Sequence, residues 1–353
     1  MIIIFFIVLF LLFAYLGQEN VTKDEKMRVF MRIALILFLS AFAVFFRAGA
    51  DRLEYIYFYE VDSHYFKFED ILYWLSLESI EMEPGFVLLT KIIQVLGLGS
   101  TGFIFLVTAL INTLAVSSLY RFRYPFLVLF LFITSLPFAQ ESNLLRQMLA
   151  VMIGFYSIRF IEERNWKKYL LCVFIAFTIH KTALLLLIGV PFVFINEKHH
   201  NIVLFVMLAS WIISLGFVFG FFNSFEYLSI YFEDTRYSTY ADEGTSVGAQ
   251  EARFDVIYNA LTVLLFLSLL VFSKNKPKSI VFPSYYILGC SILNMAFGGQ
   301  FVIRLALYFI PMFCAYTPAL LSDNNLISKD KQTRTILFAL LFLYYLRQLL
   351  RGI

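Results

Sequence analysis

Long apolar runs recur along this sequence from one end to the other, and they restrict the fold more than any other feature. Hydrophobic residues make up 61% of the 353 residues and charged residues only 15%, which is more apolar surface than a soluble domain can bury. A helix needs roughly 20 apolar residues to cross a bilayer, and lipid offers no partner for an unpaired backbone group. Because no barrel-type alternation is visible, we predict an all-α polytopic membrane protein. The prediction is one transmembrane domain, residues 1–353, with about twelve spanning helices.

The predicted spanning helices follow these runs. The first run, residues 1–17, lacks the basic start and the small-residue cleavage site of a signal peptide, so we expect it to persist as a helix. The remaining spans are predicted at 32–46, 101–120, 124–138, 143–160, 168–180, 181–196, 201–222, 254–273, 279–296, 304–321 and 335–350.

The charges of the loops predict an orientation, because lysine and arginine are enriched in cytoplasmic loops. The basic loops are therefore expected to face the cytoplasm, and the acidic segment 47–100 and the polar loop 223–253 to face outward. Within the acidic segment, the run at 84–98 is short and contains Lys91 and Gln94. An amphipathic helix in the outer interface, or a re-entrant segment, accommodates such a run without a full crossing.

Several functional classes lack support in the sequence. The three cysteines lie inside apolar runs without metal-ligand spacing, and no other metal motif is present. The net charge of +3 is too small to indicate nucleic-acid binding. No glycine-rich nucleotide loop appears, which argues against ATP-driven transport and against a nucleotide-sugar transferase. We expect neither a cofactor nor a metal.

Three arginines lie near the outward ends of apolar runs, where a charge is costly unless it has a partner, water or a bound anion. They are Arg47 in "FRAGADRLEY", Arg146 in "NLLRQMLA" and Arg304 in "RLALY". A single arginine at a helix end often extends to lipid phosphates. Guanidinium groups also bind phosphate oxygens in bidentate fashion, so three of them together suit a lipid diphosphate or a diphosphate leaving group.

Acid–base candidates occur in the same outward regions. His180 interrupts the run "IHKTALLLL", and a histidine at a helix break suits proton transfer or substrate binding, although a buried histidine between helices fits as well. Asp51 and Glu83 are the carboxylates best placed to deprotonate a sugar hydroxyl or to orient the residue that does. Glu83 precedes Pro84 in "EPGF" and is equally suited to begin a helix. The predicted substrate-binding residues are Tyr55, Glu141 and Tyr308.

Taken in order, five motifs resemble the EpsG and Wzy-type polysaccharide polymerases over residues 40–310: "FRAGADRLEY", "EPGF", "NLLRQMLA", "IHKTALLLL" and "RLALY". The resemblance implies a multi-pass protein of the bacterial inner membrane. It would join undecaprenyl-diphosphate-linked oligosaccharide repeat units into O-antigen, capsule or exopolysaccharide at the periplasmic face, without a nucleotide sugar. Membrane lipid, a flippase and a chain-length regulator are then candidate partners. The resemblance also implies diphosphate-facing roles for the three arginines, and acceptor activation by one of the three acid–base candidates.

Other functions remain open on the sequence alone. An O-antigen or teichoic-type ligase shares the donor chemistry but uses a different acceptor. A flippase or exporter of the lipid-linked unit requires a charged path across the whole membrane, whereas the costly charges here gather on one side. A membrane acyltransferase for sugars, with His180 as its histidine, requires a tunnel for the acyl donor.

Overall fold

Helices account for the secondary structure that is described in this protein. The structure, a computed structural model, describes residues 12–18, 21–46, 50–66, 82–122, 144–195, 199–218, 281–295 and 304–312, with isolated positions at 125, 128, 129 and 132. No strand occurs within these ranges, which agrees with the predicted all-α class.

The helices are numbered here in chain order, with two 3-10 helices between them. The α-helices are α1 Glu25–Phe46, α2 Ala50–Glu60, α3 Pro84–Val95, α4 Ser100–Leu119, α5 Leu145–Glu162, α6 Trp166–Ile179, α7 Val190–Phe194, α8 His200–Val218 and α9 Val281–Met295. The 3-10 helices are Asp62–Tyr65 and Lys181–Gly189.

Two of these helices are long and apolar enough to cross a membrane: Glu25–Phe45 within α1, and Ser100–Leu119. The described residues therefore contain fewer spanning helices than the count of about twelve that was predicted for the whole chain. The predicted spans at 254–273 and 335–350 lie outside those residues, as do the loop at 223–253 and nearly all of 124–138.

The predicted span at 181–196 has a different form from the one expected. It is a 3-10 helix over Lys181–Gly189, followed by the short helix α7. Pro191 has no N–H to donate and is tolerated only in the first turn of an α-helix, which is where α7 places it. An α-helical ladder therefore does not run unbroken through this stretch.

The chain divides into two compact units, and each is described by itself. The first contains residues 1–190 and 339–353, and the second contains residues 191–338. All the contacts of the candidate site described below lie in the first unit.

Helices α5 and α6 form a hairpin at the centre of the first unit. Only three residues join them, so they run antiparallel. Arg164 in this turn has a positive φ of 56°, the left-handed conformation common just after a helix end. The next residue, Asn165, caps α6 by accepting a hydrogen bond from the Lys168 backbone N–H at 3.2 Å.

Helices α1 and α4 are joined by polar contacts in an otherwise apolar interface. Asn112 is fully buried and donates from Nδ2 to Ser40 Oγ at 3.3 Å. Just after the end of α4, the Tyr120 hydroxyl donates to the Ala14 carbonyl at 2.9 Å, and the guanidinium of Arg32 from α1 lies 4.2 Å from the Tyr120 ring. Such side-chain hydrogen bonds between helices stabilise one register of packing.

An aromatic cluster holds α3 against α2 and α4. Phe86 is fully buried, and its ring centroid lies 5.8 Å from that of Tyr55 and 5.9 Å from that of Phe103. Tyr59 stacks on Phe103 at 4.7 Å, and its hydroxyl donates to the Leu98 carbonyl. Buried aromatic pairs at these distances contribute about 0.5–1.5 kcal/mol beyond their area, so the start of α3 is firmly placed.

In the second unit, α8 packs against α9. Asn294 donates to Ser214 Oγ at 3.0 Å, which is the same kind of asparagine–serine contact that joins α1 to α4. The core also contains Tyr285, which makes edge contacts with Phe192 at 5.7 Å and Phe309 at 5.4 Å.

Candidate active site

The start of α3 carries the first residue of the site. Pro84 is the first residue of the helix, and Glu83 precedes it with extended backbone and no side-chain hydrogen bond to its own helix. The following Gly85 allows close packing, because a Cβ there would lie only 2.7 Å from the Thr178 carbonyl oxygen of α6. The glycine thus brings the Glu83 carboxylate to the end of α6.

The end of α6 carries the second residue. His180 terminates α6 with extended backbone, φ −153° and ψ 121°, and the 3-10 helix begins at Lys181. The break that the motif "IHK" predicted is therefore present. The Lys181 backbone N–H has no partner within its own helix, as is general for the first donors of a helix.

The start of α5 carries the third residue. Arg146 lies in the first turn of α5, one residue after the helix begins. The helix extends about 25 Å to its other end, where Glu162 forms a separate ion pair with Arg121 at 2.7 Å. Each end of α5 therefore has its own arginine–carboxylate pair, and only the Arg146 end meets α3 and the end of α6.

Glu83 contacts all three of these elements through its two carboxylate oxygens. Oε2 accepts a hydrogen bond from Arg146 Nη1 at 2.5 Å. Oε1 accepts one from the Lys181 backbone N–H at 3.2 Å and lies 3.4 Å from His180 Nδ1. Glu83 therefore caps a helix distant in sequence instead of its own.

Burial strengthens the electrostatic interactions within this cluster. The Glu83 side chain is 3% exposed, whereas those of His180 and Arg146 are 16% and 17% exposed. Burial by itself would raise the pKa of Glu83, but the contacts with His180, Arg146 and the Lys181 N–H together lower it from 4.5 to about 2. Glu83 is therefore an anion at neutral pH.

Tyr55 extends the cluster on the side of α2. It is 5% exposed, the Arg146 guanidinium carbon lies 5.8 Å from its ring centroid, and its hydroxyl interacts electrostatically with Arg146. Burial raises the pKa of Tyr55, and the charge of Arg146 opposes that rise. Asp51 lies one helical turn before Tyr55, and its charge adds to the rise.

The sequence profile of the EpsG family matches residues 28–352, which is nearly the whole chain. This chain belongs to the EpsG family. No curated protein and no solved structure matches it. The resemblance that five short motifs indicated is therefore confirmed at the level of the family. Membership in the EpsG family, together with the apolar helices, indicates a membrane protein of polysaccharide biosynthesis.

In this EpsG-family chain, residues from four of the five motifs meet in space. "EPGF", "NLLRQMLA" and "IHKTALLLL" supply Glu83, Arg146 and His180. Tyr55, from "FRAGADRLEY", joins them through Arg146. These four predicted site residues therefore form one connected cluster.

The other predicted site residues of this EpsG-family chain are placed as follows. Arg47 and Glu141 lie outside the described residues. Arg304 is partly exposed and Tyr308 is fully buried, and both belong to the second unit. Within the described parts of the chain, no three residues among His, Cys, Asp and Glu come together in a way that could hold a metal ion.

Sequence reasoning missed three contributors to the cluster. The Lys181 backbone N–H binds Glu83, Gly85 allows the approach of α3 to α6, and the Thr182 hydroxyl lies 3.5 Å from His180 Nδ1. A glycine inside an apolar helix is a weak signal of close packing. No pattern in the sequence signals a backbone N–H as a ligand, because every non-proline residue has one.

Proposed function

We propose that this EpsG-family protein is a polysaccharide polymerase. In this proposal it transfers a growing glycan from undecaprenyl diphosphate onto a lipid-linked oligosaccharide repeat unit, at the periplasmic face of the bacterial inner membrane. The observation that carries the proposal is the buried cluster of Glu83, Arg146 and His180 in a chain of this family. It combines a cation suited to phosphate with a group suited to proton transfer.

Arg146 is suited to bind the diphosphate, which is the leaving group of the proposed reaction. When the anomeric carbon–oxygen bond breaks, negative charge develops on the diphosphate, and a preorganised guanidinium stabilises that charge. Arg146 is preorganised because Glu83 and Tyr55 hold it, while 17% of its side chain remains exposed. Removing one such donor typically lowers a rate about 100-fold or more.

The single positive charge of Arg146 does not neutralise the negative charge of a diphosphate, so further cations are part of the proposal. The side chain of Lys181 is exposed beside the cluster and is the nearest in sequence to it. Arg47 and Arg304 keep the diphosphate-facing roles that the family resemblance implied. Lysine variants of these two arginines test those roles in the same assay.

The test is deletion of the gene in its native host, followed by complementation and gel analysis of the surface polysaccharide. We expect deletion to reduce a polymer ladder to single repeat units, and wild type to restore it. Arg146→Lys keeps the charge but loses the planar fork, so we expect it to restore little polymer at normal protein abundance. Arg121→Lys alters the arginine at the other end of α5 and is the matched control, expected to restore the ladder.

The other outcomes would identify a different activity. Lipid-linked polymer that accumulates without attachment to its final acceptor would indicate a ligase. Single lipid-linked units retained on the cytoplasmic side would indicate a flippase. A normal ladder after deletion would reject the polymerase proposal outright.

A further inference from the structure

The contacts of Glu83 make it poorly suited to act as a base. Oε2 is occupied by Arg146, and Oε1 by the Lys181 N–H, while the side chain is only 3% exposed. A general base must lie within hydrogen-bonding reach of the proton that it removes. A carboxylate held anionic by its neighbours also has little affinity for that proton.

The His180 ring is placed with one nitrogen toward Glu83. Nδ1 lies 3.4 Å from Glu83 Oε1 and 3.5 Å from the Thr182 hydroxyl. A lone pair on Nδ1 would face a carboxylate oxygen and repel it, whereas a proton on Nδ1 would be attracted. Catalytic hydrogen bonds are often long before substrate binds and shorten in the complex. The neutral ring is therefore stabilised with its proton on Nδ1.

The other ring nitrogen then carries the lone pair. Within the described part of the chain, no hydrogen bond of His180 Nε2 occurs, and 16% of the side chain is exposed. The charged groups around the ring are Glu83 from α3, Arg146 from α5 through Glu83, and the neighbouring Lys181. The contacts with His180, Arg146 and the Lys181 N–H keep Glu83 ionised against its burial, so the carboxylate attracts the Nδ1 proton without taking it.

We propose that Glu83 is a positioning residue that holds the His180 proton on Nδ1, so that Nε2 is the base for the acceptor hydroxyl. This inference rests on the proposed polymerase function. It assigns different roles to Glu83 and His180, which are two of the three residues that the sequence left as alternative bases. It also removes Glu83 from direct contact with the substrate.

The proton and electron balance of the step is complete without a further reactant. The acceptor hydroxyl forms a bond to the anomeric carbon and releases its proton to His180 Nε2. The bond between that carbon and the diphosphate oxygen breaks, and its electron pair leaves with the diphosphate. The imidazolium then returns the Nε2 proton to the diphosphate or to water, which restores the starting ring.

The first test is nitrogen-15 NMR of the purified full-length protein with labelled histidine. The chain has four histidines, and a spectrum of His180→Gln assigns the signal of His180 by its loss. We expect His180 to carry its proton on Nδ1 in wild type. In Glu83→Gln the neutral amide presents either a donor or an acceptor, so a population protonated on Nε2 should appear. Glu54→Gln changes an exposed carboxylate of α2 and should leave the signal unchanged.

The second test measures polymer synthesis by the same variants at matched protein abundance. We expect His180→Gln to abolish synthesis, and Glu83→Gln to lower it on the order of 100-fold. Glu83→Asp keeps the carboxylate and should retain more activity than Glu83→Gln. Higher activity of Glu83→Asp than of Glu83→Gln would show that synthesis depends on the carboxylate that positions His180, and not only on a side chain that fills this place.

The outcomes separate this inference from the function on which it rests. A His180 proton on Nε2 in wild type, or an unchanged signal in Glu83→Gln, would overturn the positioning role whatever the polymer ladder shows. Full activity of His180→Gln would overturn the role of Nε2 as base. A normal ladder after gene deletion would reject the polymerase function, whichever nitrogen carries the proton.

Discussion

Gly85 of α3 lies against Thr178 of α6 so closely that a Cβ on residue 85 would fall 2.4 Å from the threonine Oγ1 and 2.7 Å from its carbonyl oxygen. The hydroxyl can rotate away, but the carbonyl belongs to the helix backbone and cannot. This contact is what allows Glu83, two residues earlier, to reach the Lys181 N–H and the His180 ring.

We predict that Gly85→Ala weakens the cluster and destabilises the protein. Forcing an extra methyl group into a packed contact typically costs about 1–3 kcal/mol, and here relief requires α3 to move away from α6. The measurement is the unfolding temperature in detergent together with polymer yield. Gly99→Ala is the matched control, because Gly99 likewise lies at the start of a helix and a Cβ there meets nothing within 4 Å. Equal behaviour of the two variants would contradict the packing role.

We predict that the two arginine–carboxylate pairs of α5 differ in their effect on stability. Arg146→Ala would leave Glu83 buried without its cation, which typically costs about 3–5 kcal/mol. Arg121→Ala should cost about 1 kcal/mol or less, because its pair with Glu162 is more exposed and is solvated when broken. Unfolding temperatures of the two variants check the difference. A similar loss in both would show that burial of Glu83 is not what makes its pair important.

The ionisation of Glu83 predicts how stability depends on pH. The folded-state pKa of about 2 lies below the ordinary value of 4.5, so the carboxylate contributes its full stability above pH 4.5 and loses it as the pH falls toward 2. The lowering corresponds to about 3 kcal/mol. The gap in stability between wild type and Glu83→Gln should therefore be largest at neutral pH and narrow below pH 4.5.

This pH dependence is measured by unfolding the two proteins in detergent between pH 7 and pH 3. Glu162→Gln serves as the reference, because its carboxylate is about ten times as exposed, at 32% against 3%. We expect that variant to stay close to wild type at each pH. A gap for Glu83→Gln that is constant across the range would show that the ionised carboxylate is not the source of its stability.

We predict that the Tyr55 hydroxyl affects activity more than stability. Tyr55→Phe keeps the ring against Phe86 but removes the hydroxyl that interacts electrostatically with Arg146, so polymer synthesis should fall about tenfold while stability falls by about 1 kcal/mol. Tyr59→Phe is the control. It removes the hydroxyl of an equally buried tyrosine on the same helix, whose partner, the Leu98 carbonyl, lies outside the cluster. Equal activity of the two variants would show that the Tyr55 hydroxyl has no role in the site.

Sequence patterns predicted several features of this chain correctly, because those features depend on neighbouring residues. The helix starts at Pro84 because proline suits only the first turn, and the break at His180 falls where polar residues interrupt an apolar run. The motifs also indicated the family, which the profile over residues 28–352 confirms. The 3-10 helix at Lys181–Gly189 was not predicted, because an apolar run has the same composition in either kind of helix.

The sequence by itself determined that this chain is helical and apolar, where several of its helices begin and end, and which costly charges require partners. Only the tertiary structure decided which partners those charges have. Glu83 lies 63 residues from Arg146 and 98 from Lys181, and no local pattern encodes contacts over such separations. The pairing arises because Gly85 allows α3 to approach α6, and because a buried carboxylate is stable only where a cation and backbone donors converge on it.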